Sequence, residues 1–277
     1  GSGPYQLVEL ITQDYFLAEQ FPDWHGGWET RPNAPKQLKL IYGTEPATVR
    51  TMMETQALEI TDPWQTIENI NEMEKVEGLS IAKYSNRSIQ NVYFNTQMAP
   101  TDDVNVRKAL ACLIDYETLI NSIFVGSTLC NGPVSNYTAG HVDATRYPFD
   151  IEKAKKYLAQ SKYADTIGDY ELEFMMAAEG THLEKMLLAV QAAAAQAGIK
   201  IKIQKAPWVT FQERVSAQET TPNMMTVNSN PQYNEAGATL DSGFHSKTQG
   251  TYENCAWLGT VLDAEIEDAL ATVDRDA

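Results

Sequence analysis

Four histidines are spread along the chain, His25, His141, His182 and His245, and no two stand three or four residues apart. They therefore build neither an H-E-x-x-H helix nor any other preformed catalytic metal set. G-x-S-x-G, a phosphate-cradling P-loop and a dinucleotide fingerprint are all missing. Asp102 and Asp103 could act as paired acid–base carboxylates. They also stand immediately before an apolar periodic run, where a carboxylate accepts the free N–H groups of a helix's first turn. The stretch best suited to binding chemistry is Asn228-Ser229-Asn230-Pro231-Gln232-Tyr233-Asn234-Glu235. It offers amide, hydroxyl and phenol groups just after an apolar run at residues 223–228, and it reads equally as a plain polar connection. A second candidate is Ala178-Glu179-Gly180-Thr181-His182, where a helix start could receive an anion or a hydroxyl. Tyr137 and Tyr233 are aromatic surfaces on which a ligand could stack, whereas Trp208 reads as core.

These groups need elements to hold them. Residues 88–96 are rich in Ile, Val, Tyr and Phe and predict a buried strand. Val106, Leu110, Leu113 and Ile114 follow at helical spacing, and Asp115 is placed to cap a second helix ended by Gly126. Asp150 caps a helix through about residue 162. Residues 170–176 predict a strand that ends at the Glu179 candidate. Thr181-His182-Leu183-Glu184 has the spacing of a capping box, and Leu183, Leu187, Val190, Ala194 and Ala197 then form a stripe ended by Gly198. Ile199, Ile201 and Ile203 alternate with Lys200 and Lys202, as on a strand with one buried face. A helix at 208–217, a strand at 223–228 and a helix at 262–273 complete the pattern. From Asp150 onward helix and strand alternate, which predicts an α/β layer with a largely parallel sheet. In such sheets ligands bind beyond the carboxyl ends of the strands, where the residue 228–235 loop and Glu179 fall. Upstream, residues 36–42 alternate as a half-buried strand, 47–57 and 67–75 are helical, and 79–84 predicts a strand joined to 88–96 by a turn at Ser85-Asn86-Arg87.

The chain has 277 residues, 43% hydrophobic and 21% charged, with a formal net charge of −16. The length suffices for one large or two ordinary cores. The acidity argues against a nucleic-acid partner and against docking on an anionic membrane. It suits a soluble protein, or an acidic cleft for a cationic ligand. The most apolar run, residues 186–199, is interrupted by Gln191 and Gln196 and too short to span a bilayer. Cys112, Cys130 and Cys255 are an odd set without a C-x-x-C pair. They read as free thiols, although spacing leaves a Cys130–Cys255 pair open.

Four pieces of the chain resemble the solute-binding proteins of the peptide and nickel ABC importers. Phe94-Asn95-Thr96, a gap with Pro100, then Asp102-Asp103 leading into Val106-Arg107-Lys108-Ala109-Leu110 and Ile114-Asp115 is one. Gly1-Ser2-Gly3-Pro4-Tyr5, Phe21-Pro22-Asp23-Trp24-His25-Gly26-Gly27 and Phe149-Asp150-Ile151-Glu152-Lys153-Ala154 are the others. The resemblance implies an α/β, type II two-lobed periplasmic-binding-protein-like fold. It also implies an internal fragment with one lobe incomplete, lacking any signal peptide or lipid anchor of the whole protein. Residues 1–96 would belong to the first lobe, with strands approaching the hinge, and 97–277 to most of the second. The implied function is capture of a small molecule between two lobes for an ABC permease, by a monomer that is periplasmic or otherwise extracytoplasmic, without cofactor or catalysis. An α/β enzyme such as a hydrolase, or a ligand sensor of the same fold, are the alternatives.

The resemblance also implies a site. In peptide-binding members the loop after the equivalent strand reads like G-W-x-x-D-Y-x-D-P, and its aspartate pairs with the peptide's amine. Matching Tyr233 to that aromatic places Gln232 at the aspartate and Ser229 at the tryptophan. Glutamine cannot neutralise an ammonium. Glu184 likewise falls where the dipeptide-binding branch carries a basic residue. The expected ligand is therefore neutral, polar or otherwise different from a plain peptide, such as a sugar, an opine or a conjugate. Asn228, Ser229, Asn230, Gln232, Tyr233, Glu179 and His182 are the expected ligand-binding residues.

Overall fold

The computed structural model describes residues 2–42, 45–84 and 87–272. The chain divides into two compact units, Gly1–Pro63 with Asn71–Leu79, and Trp64–Ile70 with Ser80–Ala277.

The first unit carries an antiparallel sheet of β1 (Tyr5–Ile11), β2 (Tyr15–Gln20) and β3 (Gln37–Ile41), in that order. Leu7 pairs with Ala18, which pairs with Leu38, and Leu10 with Phe16, which pairs with Leu40. Directly paired residues share a face, so these six form one apolar face. A register shift between Leu7 and Glu9 keeps the alternation in step. Every residue of β3 is exposed, not half-buried as its alternation predicts. The Phe21–Gly27 turn beside the sheet is fixed by indoles: Trp28 Nε1 donates to Phe21 O at 2.9 Å and Trp24 Nε1 to Ser2 O at 3.2 Å. α1 (Pro46–Glu54) follows, and α2 (Ile67–Met73) straddles the division between the units.

The second unit is built on the sheet β4-β7-β5-β6. β5 (Glu171–Ala177) pairs in parallel with β6 (Lys200–Ala206) and with β7 (Met224–Ser229), while β4 (Ile89–Phe94) runs antiparallel to β7 on the edge. The expected layer of alternating helices and strands is present. Three helices start on aspartates, as expected. Asp103 Oδ1 accepts from Asn105 N at 2.7 Å and opens α3 (Val104–Ala111). Asp115 opens α4 (Tyr116–Ser122) and Asp150 opens α5 (Ile151–Leu158), each accepting a backbone N–H three residues on. Asp102 does not cap the helix. Its carboxylate holds Lys162 Nζ at 2.6 Å and Tyr163 OH at 2.8 Å.

Two cores flank this sheet. One gathers Leu110 and Leu113, Leu187 and Val190 of α6 (Glu184–Gln196), and Phe174 and Met176 of β5. The other gathers Tyr93, Met175, Met225 and Val227 with Phe211 and Val215 of α7 (Trp208–Val215). Trp208 stacks on Phe211, its ring centroid 5.4 Å away, as a core-flanking residue. Ile201 is buried between exposed Lys200 and Lys202. All three cysteines are free thiols, and burial pushes that of Cys255 up to about 12.

Two further expectations are corrected. Residues 79–84 form no strand. Tyr84 is 74% exposed, and alternation without a neighbour to pair with or a core to face does not hold a strand. Of the turn expected at residues 85–87, Ser85 and Asn86 lie outside the described residues. The Thr181–Glu184 capping box does not form. Thr181–Leu183 wind into a 3₁₀ turn ahead of α6, and no side chain caps either element. Glu184 pairs instead with Lys205 Nζ at 2.5 Å. α8 (Ala236–Phe244) has no counterpart in the sequence reading, and α9 (Asp263–Ala271) falls within the expected last helix.

Candidate functional site

The three parallel strands end together. Ala177 pairs with Ala206, and Ala178 N donates to Ala206 O at 2.8 Å, which closes the β5–β6 ladder. β7 continues to Ser229, which pairs with Ile89 at the start of β4. The loops beyond this edge carry the sequence-predicted site residues.

At the end of β7 side chains alternate between the two faces of the sheet. Thr226 and Asn228 share a face with Gln90, whose Nε2 donates to Thr226 Oγ1 at 2.8 Å. On the opposite face Asn91 Nδ2 donates to Ser229 Oγ at 2.7 Å. Ser229 is thus engaged within the sheet, and its side chain also hydrogen-bonds Tyr93. Asn228 Oδ1 is buried and has no hydrogen-bond partner among the described residues. Asn230, Gln232 and Tyr233 are exposed in the loop, Tyr233 at 55%.

Glu179 and His182 are used differently. Glu179 Oε1 accepts the backbone N–H of Trp208 at 3.0 Å. Its charge therefore sits at the positive end of α7. The His182 ring is half-buried and stacks on Trp64 at 5.6 Å, with planes 12° apart, while Phe124 meets it edge-on at 6.1 Å. His182 is thereby fixed as part of an aromatic cluster.

The connection at residues 131–147 is closed by its own hydrogen bonds. Asn131 Nδ2 donates to Asp143 Oδ1 at 3.1 Å and Ala144 N to Asn131 O at 2.7 Å, which close the loop on itself. His141 Nδ1 lies 2.7 Å from Val134 O and braces its middle. The loop is then tied to the one after β7. Ala139 N donates to Asn234 Oδ1 at 3.3 Å, and Ala236 N donates to Ala139 O at 2.8 Å. Gly140 adopts a φ of +83°, and a Cβ there would stand 2.9 Å from Ala236 Cβ, so glycine is required by both backbone and space. The tie brings the segment with exposed Tyr137 beside the segment with exposed Tyr233. Residues 95 apart in sequence make this contact, and no local pattern announces it.

Among the described residues no three His, Cys, Asp or Glu side chains are grouped to hold a metal. The arrangement is a set of neutral hydrogen-bonding groups and exposed phenols on braced loops. Such a set can bind and orient a polar molecule.

The fold is an α/β layer with polar loops beyond the carboxyl edge of a parallel sheet. The chain belongs to the bacterial extracellular solute-binding proteins, family 5 Middle, whose sequence pattern matches residues 1–251. It is 23% identical over 277 residues to the probable D,D-dipeptide-binding periplasmic protein DdpA of Escherichia coli (strain K12), covering 99% of this chain and 52% of that one. Among solved structures it is similar to the dipeptide-binding protein of Pseudoalteromonas sp. SM9913 in complex with Met-Leu. There the TM-score is 0.87 at 19% identity, over 98% of this chain and 53% of the other. NikA from Staphylococcus aureus in complex with Ni(L-His)2 gives a TM-score of 0.84 at 17% identity, over 99% and 57%. The chain therefore spans about half the length of the relatives it matches. The expected periplasmic-binding-protein fold and family are borne out.

Proposed function

We propose that this chain is a large part of the substrate-binding component of an ABC importer. The whole protein captures a small molecule between two lobes and hands it to a membrane permease. Family membership across residues 1–251 carries this reading. The braced polar loops at the sheet edge support it. The second unit supplies most of one lobe, and the strands around β4 approach the hinge. The protein works outside the cytoplasm as a monomer, free or lipid-anchored, and does no chemistry on its ligand. An enzyme reading would need a nucleophile–base pair or a metal set among these groups.

Asn228, Ser229, Asn230, Gln232 and Tyr233 form the ligand contacts of this lobe, with Glu179 and His182 flanking them. Gln232 is exposed and uncharged, which suits a neutral polar ligand or a conjugate better than a free peptide amine. Closure requires contacts from both lobes at once, so the 277-residue chain alone binds far more weakly than the whole protein.

Native mass spectrometry of the whole mature protein, purified gently without dialysis, tests the reading. A bound small-molecule mass that is lost in Gln232→Ala and Tyr233→Ala supports both class and loop. A bound peptide would sink the argument from Gln232. A protein that carries nothing and gains no thermal stability from sugars, opines, peptides or conjugates would sink the importer reading itself.

A further inference from the structure

The loop at residues 131–140 contains a group that neither the fold nor the contacts above use. Thr138 is only 4% exposed, and its Oγ1 is buried with no hydrogen-bond partner among the described residues. Its backbone is fully engaged: Thr138 N donates to Ser135 O at 2.8 Å and His141 N to Thr138 O at 3.2 Å. The next residue, Ala139, makes both hydrogen bonds to the loop after β7. Asn131 Oδ1 of the same loop and Asn228 Oδ1 at the end of β7 are likewise buried without partners. The Asn131 amide cannot be turned to change this, because its Nδ2 must face the acceptor-only carboxylate of Asp143. All three are oxygens able to accept, and native proteins rarely leave buried acceptors unmatched.

We propose that residues 131–140 and 228–236 form one ligand-binding wall in which Thr138 Oγ1 and Asn228 Oδ1 take hydrogen bonds from the ligand. The ligand is thus rich in donors, presenting either hydroxyl groups or an ammonium. This deepens the importer reading above and rests on it. The tie through Ala139, Asn234 and Ala236 fixes the spacing of the two loops, and the Gly140–Ala236 approach lets them close to contact. Thr138 is then a specificity-determining residue. A ligand lacking a donor at that point leaves the hydroxyl unmatched, and a buried polar group without its partner weakens binding by more than a lost methylene does.

The test uses the whole protein, freed of carried-over ligand by unfolding and refolding, and titrated calorimetrically with trialanine and with sucrose. These probes separate an ammonium from hydroxyls as the donor source. Thr138→Val keeps shape and removes the hydroxyl; it is expected to weaken binding of whichever probe the wild type takes about tenfold, and Thr138→Ser to stay within about threefold of wild type. A thermal melt without ligand is the second readout. A hydroxyl held for ligand predicts that Thr138→Val melts no lower than wild type, since valine removes an unmatched polar group, whereas a merely structural hydroxyl predicts a lower melting temperature. Wild-type binding unaltered in Thr138→Val and in Asn228→Leu would overturn this wall and leave the importer reading standing. A wild type that binds neither probe and carries no small molecule from the cell would overturn both.

Discussion

β1 and β5 are both seven-residue strands with several large apolar side chains, and they end in opposite conditions. β5 buries Leu172, Phe174, Met175 and Met176 to 1% exposure or less, while β1 leaves Leu7 62% and Leu10 58% exposed. Composition does not separate them; position does. β5 lies between β6 and β7, with Phe174 in one core and Met175 in the other. β1 is an edge strand of a three-stranded sheet. An apolar strand states a capacity for burial, and the neighbours decide whether it is realised. The stability of the second unit should therefore rest on β5, and substitutions in β1 should be nearly silent in this chain.

Phe174→Ala should give the largest effect. It empties a fully buried aromatic site between β5 and its helices, and such truncations cost about 3–5 kcal/mol. Urea unfolding read on the second unit checks it. A cost under about 1 kcal/mol would mean that this core collapses freely around the gap, and the contrast with β1 would be lost.

Arg214→Met comes next. Its guanidinium grips Glu173 of β5 with two bonds, Nη1 to Oε1 at 2.5 Å and Nη2 to Oε2 at 2.8 Å, and holds Thr220 O as well. The pair is about one-third exposed on the arginine side, so solvent screening reduces its worth, and a loss of about 1–2 kcal/mol is expected. Adding Glu173→Gln to Arg214→Met should recover part of it, because the amide removes the carboxylate charge left without its partner.

Asp103→Ala should cost about 1 kcal/mol through the lost α3 cap. Burial pushes the Asp103 carboxyl up, but the N–H groups of Lys162, Asn105 and Val106, with the Lys162 charge, outweigh it and hold it below the usual carboxylate range. A lowered folded value means that the contribution is complete above the unfolded value of about 4 and fades as pH falls through the folded one. The gap between wild type and Asp103→Ala should thus be constant from pH 7 to about 5 and close in stronger acid. A gap that widens on acidification would assign the cap to another group.

These effects differ in how far the sequence announced them. The caps at Asp103, Asp115 and Asp150 were legible because an aspartate and the N–H it binds lie within three residues. The buried stripes of α3 and α6 were legible from their spacing. The Thr181 box failed because a 3₁₀ turn consumed the residues meant for the cap. α8 escaped notice because Gly237, Ser242 and Gly243 dilute its helical pattern. The residue 228–235 loop was legible as the connection after its neighbouring strand. Its tie to Ala139, and with it Thr138, depends on contacts across almost a hundred residues and leaves no local trace.

Leu10→Ser is the smallest expected effect and the sharpest probe of the opening contrast. Leu10 is 58% exposed and pairs across to Phe16 on the apolar face of the first sheet. Removing an exposed leucine gives up little burial, so the 277-residue chain should change by no more than about 0.5 kcal/mol, with an unchanged denaturant slope. A loss of about 2 kcal/mol or more would put Leu10 among buried core residues. In that event β1 and β5 would differ in degree only, and the first sheet would have to be counted as a further core of this chain.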